Sequence, residues 1–256
     1  LSMYPVQDSE KWFEIPVVAT NICDYDRSFG VEVDDKASNA IEKKQYVVES
    51  NTVTIKAGER VAKFRMKGIY ENIDKTDSLS VTFNLLAKDE NVWDLYGTRT
   101  RVQMQKACPF ELSTFEGYCL LTSSFFSAYM TNTEHRLLQA ERDKTEDNTI
   151  ILHDFFYKNY DLKIKYDPSD PLKPFVEFDD QIIGSTAEAF GTIYGNGKLM
   201  CTQPVAYDSY YNVCQKFVFL YSTIYVVGKG TVGTYVNILE WISDEEAEQY
   251  KKEEGL

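Results

Sequence analysis

The residues best suited to ligand recognition are aromatic side chains in two polar segments. Trp93 and Tyr96 lie in one segment, and Tyr207, Tyr210 and Tyr211 lie in the other. Because Tyr and Trp combine a flat apolar ring with a polar tip, they suit contact with sugar rings and protein surfaces. On loops of a rigid β scaffold, these side chains would form a binding surface. The alternative is structural: the same rings would plug the ends of sheets or fill a domain interface.

Four carboxylates close to one another in sequence form a candidate metal site. They are Asp24, Asp26, Asp34 and Asp35. Calcium takes roughly six to eight oxygen ligands, and aspartates on loops supply them well. The segment lacks the spacing of an EF-hand loop, so the alternative is a set of turn residues and solvated strand ends.

The sequence contains no arrangement typical of a catalytic site. Its two histidines are His135, in a polar stretch, and His153, in an alternating run typical of a sheet. Neighbouring carboxylates such as Asp179 and Asp180 would point to opposite faces of a strand. No G-x-S-x-G nucleophile motif is present. We therefore expect a protein that is not an enzyme and needs no cofactor.

A glycine-rich segment has the spacing of a dinucleotide-binding motif but the wrong surroundings. Gly228, Gly230 and Gly233 fit G-x-G-x-x-G. That motif requires a following helix within a βαβ unit. Here a β-type run over residues 234–241 follows, so the segment is predicted to be a hairpin turn.

Composition favours β structure and excludes one class of partner. Aromatic residues make up 14% of the 256 residues, with 18 Tyr and 15 Phe. Such residues pack well on pleated, half-buried surfaces. The net charge of −13 would repel a phosphate backbone, so we expect no nucleic-acid partner.

The charge distribution and the strand pattern predict two unlike domains. Residues 1–105 carry 14 Lys and Arg against 17 Asp and Glu, whereas residues 106–256 carry 13 against 23. About six or seven short alternating strands precede Pro109, which is typical of a β-sandwich. About eight more follow, which indicates an antiparallel meander that forms a barrel or a sandwich. We predict an Ig-like sandwich domain over residues 1–107 and an antiparallel β domain over residues 108–256.

The end of the chain is predicted to be helical. Ser243 and Glu246 have the spacing of a capping box. Acidic residues follow Ser243 and two lysines, Lys251 and Lys252, come later, which suits the helix dipole. We expect a short helix over roughly residues 244–253.

Several segments resemble a known group of proteins. Residues 34–46 and the strand and turn Val53–Glu59 resemble Calx-β-like domains and the N-terminal domains of uncharacterised Bacteroidetes lipoproteins. Residues 108–112, 161–168 and 235–246 resemble the C-terminal domain of the same lipoproteins. The resemblance implies a Calx-β-like first domain, but it brings no known activity.

The resemblance also implies a location. Such lipoproteins are secreted and anchored in the cell envelope, so we expect an extracytoplasmic protein held at the outer membrane by a lipid anchor. The chain begins at Leu1 rather than methionine, which leaves room for a signal peptide or lipid anchor before it. No apolar run long enough to span a membrane is present.

The five cysteines leave the disulfide pattern open. An odd number leaves at least one thiol unpaired within a monomer. Cys201 and Cys214 flank a predicted hairpin and could face each other across it. The alternative is that buried free cysteines act as small apolar side chains.

These observations favour a binding protein over an enzyme. The leading hypothesis is an envelope lipoprotein that binds a glycan through the loop aromatics. The first alternative is an adhesion or assembly component with a protein partner. The second is a barrel that carries a small apolar ligand.

Overall fold

The computed structural model describes residues 1–88, 97–130 and 132–254. It divides into two compact units, Leu1–Cys108 and Pro109–Leu256. Each unit has a separate hydrophobic core. Both are built mainly from strands, which confirms the all-β class.

The first unit is a sandwich of a five-stranded and a three-stranded sheet. The larger sheet has the order β1-β8-β7-β3-β5, and the smaller has the order β2-β6-β4. The strands are β1 (Ser2–Val6), β2 (Phe13–Val18), β3 (Arg27–Val33), β4 (Tyr46–Val48), β5 (Thr52–Ile55), β6 (Val61–Gly68), β7 (Leu79–Leu86) and β8 (Arg99–Lys106).

Strand β1 contains Pro5 and polar residues, which do not by themselves indicate a strand. It pairs in parallel with β8, with Tyr4 opposite Met104. Tyr4 and Val6 point into the core and are almost fully buried. Pro5 is tolerated because β1 lies at the sheet edge, where no second neighbour needs its missing N–H.

The second unit contains ten strands, three α-helices and one 3-10 helix, Leu112–Phe115, in its described part. The strands are β9 (Gly117–Ser123), β10 (His135–Arg142), β11 (Thr149–Leu152), β12 (Leu162–Tyr166), β13 (Phe175–Glu177), β14 (Gln181–Ser185), β15 (Lys198–Thr202), β16 (Ser209–Asn212), β17 (Phe217–Val226) and β18 (Gly230–Trp241). The helices are α1 (Ser124–Tyr129), α2 (Thr186–Phe190) and α3 (Asp244–Glu254).

Eight of these strands close into an antiparallel barrel. Pairing runs from β9 through β10, β11, β12, β13, β16 and β17 to β18, which pairs back to β9. Strand β17 has three partners, because β16 pairs with its first half and β15 with its second half along the same edge. The hairpin β14–β15 therefore extends the wall beyond the short strand β16.

The barrel interior is filled by side chains. Inward residues of β17, such as Val218, Leu220 and Ile224, are fully buried. The ends of the barrel are packed with rings, including Phe115 stacked on Tyr166 at 4.6 Å and Phe125 stacked on Phe156 at 4.6 Å. This packing argues against the predicted alternative of an apolar ligand enclosed in the barrel.

One polar network is buried within this interior. The Asn237 amide donates to Ser222 Oγ at 2.9 Å and to the carbonyl of Leu220 at 3.0 Å. Its oxygen accepts a hydrogen bond from Ser123 Oγ at 2.6 Å. Because each polar group of Asn237 has a partner, the network avoids the cost of unpaired buried groups.

The side chain of Gln181 links β14 to β12, although these two strands are not paired through their backbones. The Gln181 amide donates to the Lys163 carbonyl at 2.8 Å and accepts from the Lys163 N–H at 2.8 Å. These two bonds reproduce the exchange made by an antiparallel residue pair.

Helix α3 confirms the predicted terminal helix and capping box. The Ser243 hydroxyl accepts from the Glu246 N–H at 3.2 Å, and the Glu246 carboxylate accepts from the Ser243 N–H at 2.8 Å. Helices α1 and α2 were not expected, because each is only about one turn long and directly continues a strand.

Candidate functional site

Six aromatic residues form a continuous group on the outer surface of the barrel. Outward positions of β17 alternate with the buried ones, and the short strands β13 and β16 add further rings beside them. We call this group the aromatic stripe; its members are Phe175, Tyr207, Tyr210, Phe217, Phe219 and Tyr221.

Strand register places the rings of the aromatic stripe in one row. Phe175 lies opposite Tyr210, and Tyr210 lies opposite Phe219. The Tyr210 and Phe219 rings are stacked with centroids 5.5 Å apart, and Phe219 contacts Tyr221 at 5.3 Å. Tyr207 stacks on Tyr221 at 5.0 Å. The stripe is thus held by cross-strand ring pairs, which stabilise a sheet locally.

Three members of the aromatic stripe are exposed to solvent. Tyr207 is 52% exposed, Tyr210 is 38% exposed and Phe175 is 36% exposed. Because Tyr207 uses one face of its ring to stack on Tyr221, its other face is available to a ligand. A row of aromatic rings with polar tips suits a partner that offers apolar C–H faces together with hydroxyl groups.

The structure separates the five aromatic residues predicted from the sequence. Tyr207 and Tyr210 both belong to the aromatic stripe. Tyr211 does not, because it lies in β16 rather than in a loop and points inward, where it is almost fully buried. Its ring contacts Phe115 at 5.8 Å. Trp93 and Tyr96 lie outside the described residues.

The burial of Tyr211 accounts for the raised pKa of its hydroxyl. Desolvation, with a smaller effect of Asp167, raises the pKa of Tyr211 to about 12. Its hydroxyl donates to the Asp167 carbonyl at 3.2 Å. The expectation that Tyr211 lies in an exposed binding loop was therefore wrong, because two adjacent strand residues point to opposite sides of the wall.

Sequence analysis missed four members of the aromatic stripe. Phe217, Phe219 and Tyr221 alternate with small or aliphatic residues, and that alternation could have identified them as one outward face. The long apolar run concealed the pattern, because both faces of β17 carry apolar groups. Phe175 could not be placed without knowing that β13 pairs with β16.

The four aspartates of the proposed calcium site do not converge. Asp26 accepts from Lys56 Nζ at 2.7 Å and from the Ala57 N–H at 2.9 Å, and these contacts lower its pKa. Asp34 accepts from Arg99 Nη2 at 2.7 Å. Within residues 1–88, 97–130 and 132–254, no group of three or more His, Cys, Asp or Glu side chains could hold a metal ion.

His153 lies on the outer surface of the barrel between two carboxylates. Its Nδ1 is 3.0 Å from Asp161 and its Nε2 is 3.5 Å from Glu141. Burial alone would lower the pKa of the imidazole, but hydrogen bonds and attraction from Asp161 and Glu141 outweigh it and raise the pKa. The arrangement is an ion pair on the sheet surface, with no nucleophile beside it among the contacts of the described residues.

The cysteines adopt a different pattern from the hairpin pairing considered above. Cys201 is a free, buried thiol, and burial raises its pKa to about 12. The pairing of Cys201 with Cys214 is therefore not formed. Cys108 and Cys214 are each in a disulfide.

Sequence comparison identifies one family. A family model described as Domain of unknown function (DUF4984) matches residues 95–253. No curated protein matches the sequence.

In the described part of the chain, no helix has the length and apolar character needed to cross a membrane.

The solved structures that match this chain share little sequence with it and have low TM-scores. A protein of unknown function from Bacteroides ovatus has 10% identity and a TM-score of 0.39, over 93% of this chain and 87% of that chain. The calcium binding domain CBD12 of CALX1.1 has 13% identity and a TM-score of 0.35, over 59% and 76%. A putative carbohydrate binding protein from Bacteroides ovatus ATCC 8483 has 12% identity and a TM-score of 0.31, over 91% and 64%. At these values the similarities carry no conclusion about function.

Proposed function

We propose that this chain, which belongs to the DUF4984 family, binds a glycan through the aromatic stripe of its second unit and is not an enzyme. The observation that supports the proposal is the row of half-exposed rings across β13, β16 and β17. Folding alone does not call for such large apolar groups on a solvent-facing surface, so contiguous ones commonly mark interaction sites.

The chemistry of the aromatic stripe favours sugars among possible ligands. Sugar rings offer an apolar face of C–H groups and hydroxyl groups at their edges, which match aromatic faces and tyrosine hydroxyls. The chain carries a net charge of −13, so the stripe suits neutral glycans better than acidic polymers. Tyr207, with one free face, is the expected first contact.

The test is binding of the purified chain to a panel of neutral polysaccharides by affinity electrophoresis, followed by calorimetry with the best oligosaccharide. Tyr207→Ala is expected to weaken binding about tenfold or more, because truncation of an aromatic anchor costs on the order of 2 kcal/mol. Tyr210→Ala should weaken binding similarly.

Tyr25→Ala provides the matched control. Tyr25 is 62% exposed in the first unit and does not belong to the aromatic stripe, so its removal should leave glycan affinity unchanged. Near-ultraviolet circular dichroism would verify that each variant is folded. If no polysaccharide binds, or if Tyr207→Ala and Tyr25→Ala behave alike, the glycan proposal fails and a protein partner becomes the better explanation.

We also propose an extracytoplasmic location for the protein. The oxidised state of Cys108 and Cys214 supports it, because disulfides persist in oxidising compartments and are rare in the cytosol. Peptide mapping of protein from its native cells, without reduction, should recover both cysteines in disulfide-linked peptides. Recovery of both as free thiols would contradict this location.

A further inference from the structure

A concave site separate from the aromatic stripe lies where α1, α2 and the β17–β18 turn meet. We call it the mouth pocket. Its volume is about 340 Å³, which lies within the range of small-ligand sites, roughly 300–1,000 Å³. The residues that matter here are Tyr129, Phe190, Tyr194, Lys229, Thr231 and Val232.

Three rings of the mouth pocket are held by contacts with one another. Tyr129 meets Phe190 edge to face at 5.4 Å, and Phe190 meets Tyr194 at 5.9 Å. Tyr129 is anchored to the core through Phe125, 4.9 Å away. Burial, with a smaller effect of its hydrogen bond with Tyr129, raises the pKa of the Tyr235 hydroxyl.

The loop that carries Tyr194 is fixed against the rest of the unit. The Tyr194 N–H donates to Thr186 Oγ1 at 2.9 Å, and the Gly197 N–H donates to the Tyr194 carbonyl at 2.8 Å. Gly195, with a φ of +54°, approaches so closely that a Cβ would lie 2.9 Å from Val226 Cγ1. The backbone of Tyr194 is therefore held in place and its ring contacts Phe190, which lowers the entropic cost of binding.

The opposite wall contains a β-bulge. Tyr225 pairs with Thr231 and Ile224 pairs with Gly233, so Val232 is an extra residue in β18. Bulges redirect side chains and are common beside functional sites. Here the bulge places Thr231 and Val232 on the lining of the pocket.

Lys229 supplies the charge at this site. It lies in the β17–β18 turn, where its N–H donates to the Val226 carbonyl at 3.0 Å. Among the described residues, its ammonium group has no carboxylate partner within salt-bridge distance. A lysine that lines the same pocket as three rings matches a ligand that has an apolar ring face and an anionic substituent.

We propose that the mouth pocket binds a small six-membered ring that bears a carboxylate, with the ring against Tyr194 and Phe190 and the carboxylate at Lys229. This binding site goes beyond the proposed function, since none of its lining residues belongs to the aromatic stripe. The overall negative charge opposes such a ligand at long range, but salt screens that repulsion beyond about 8–10 Å. Lys229 is thus the residue on which recognition of the anion depends.

The test uses nuclear magnetic resonance titration of the ¹⁵N-labelled chain, following the amides of Gly228–Val232. Glucuronate and 4-hydroxybenzoate are the two acidic probes, and glucose and phenol are their neutral counterparts. Each acid that binds should do so about tenfold more tightly than its neutral counterpart. The two acids separate an acidic sugar from an aryl acid as the source of the ring.

Two variants and two controls identify the contacts. Lys229→Gln should lower the affinity for the acid about tenfold and leave the neutral ring unchanged, whereas Lys44→Gln, a change at an exposed lysine of the first unit, should have no effect. Tyr194→Ala should weaken both acid and neutral ring. Tyr207→Ala should change neither, since it affects only the aromatic stripe.

Three outcomes would overturn the proposal. The first is that neither acid reaches saturation at about 10 mM, because its dissociation constant then exceeds the millimolar range. The second is equal affinity for acid and neutral ring, with no effect of Lys229→Gln. The third is shift changes at Tyr207 and Phe219 in place of Gly228–Val232. Loss of glycan binding to the stripe, with the mouth pocket still active, would contradict only the function proposed above.

Discussion

The two faces of strand β17 differ in the size and the burial of their side chains. On the inner face Val218, Leu220 and Ile224 are fully buried, and they fill the barrel. On the outer face Phe217, Phe219 and Tyr221 are larger but only partly covered. The bigger apolar side chains thus lie on the side where folding gains less from them.

This difference in burial implies that the two faces of β17 contribute unequally to stability. Fully burying an aliphatic side chain contributes roughly 1.5–3 kcal/mol, while half-exposed rings contribute mainly through cross-strand pairs of roughly 0.2–1 kcal/mol. The outer face is therefore free to serve binding. Neighbouring substitutions on β17 can test the distinction directly.

The largest expected effect comes from the inner face. Leu220→Ala should lower the free energy of unfolding by about 2–5 kcal/mol, because it leaves a cavity inside a closed barrel. Phe219→Ala, one residue away on the outer face, should lower it by about 1 kcal/mol or less. Urea denaturation of both variants would measure the difference. Equal losses would mean that the aromatic stripe is part of the core rather than a binding surface.

A polar substitution sharpens the comparison from the inner side. Asn237→Ala should cost about 1–3 kcal/mol, because Ser123, Ser222 and the Leu220 carbonyl lose a shared partner in the interior. Thr234→Ala, an exposed change on the same strand, is the matched control and should cost less. If both variants unfold at the same urea concentration, the buried network contributes no stability.

Loss of the side-chain link between β12 and β14 should have a smaller effect on stability. Gln181→Ala removes two hydrogen bonds to Lys163, each with a net contribution of about 0.5–1.5 kcal/mol. The local effect should exceed the global one, so hydrogen exchange at the Lys163 amide is the informative measurement. Its protection should fall in Gln181→Ala, whereas protection at Ile150 should stay unchanged. Unaltered exchange at Lys163 would show that the two strands are held together without the glutamine.

The smallest expected effect is a pH dependence on the outer face. Since the folded pKa of His153 is raised above 6.5, its ion pairs with Asp161 and Glu141 stabilise the fold fully below that value. This stabilisation is lost as the pH rises through the folded pKa. Comparing urea unfolding at about pH 6 and pH 8, His153→Gln should show a smaller loss of stability with rising pH than the unmodified chain. An identical pH dependence in both would contradict the role of the pair.

Strand alternation made most of the fold predictable from the sequence. The period of two, the turn residues and the capping box at Ser243 depend on local preferences, so they carry over directly to structure. The sequence pattern did not decide whether the second domain forms a closed barrel or a sandwich. Closure of the barrel depends on pairing between β9 and β18, more than 110 residues apart, and no local pattern encodes that contact.

The candidate site was predictable only in part, for a related reason. Tyr207 and Tyr210 were identified as surface aromatics by their polar surroundings. The prediction for Tyr211 was wrong, because the direction of its side chain depends on which residues of β16 point into the barrel. Phe190 and Tyr194 were not predicted as site residues, since only the folded chain brings α2 and its loop beside the β17–β18 turn.

The route of the chain between β13 and β16 has an evolutionary consequence. The barrel ring continues directly from β13 to β16, so residues 178–208 form an excursion from the ring, attached to it by the pairing of β15 with β17. That excursion carries Phe190 and Tyr194 of the mouth pocket and Tyr207 of the aromatic stripe, and its Ile183, Leu199 and Cys201 are buried in the core. Insertions, deletions and sequence drift in this segment would diversify the mouth pocket among descendants of one scaffold while the ring that supports it stays intact. Exchanging the exposed residues of this segment between family members would test whether the proposed ligand preference follows the excursion.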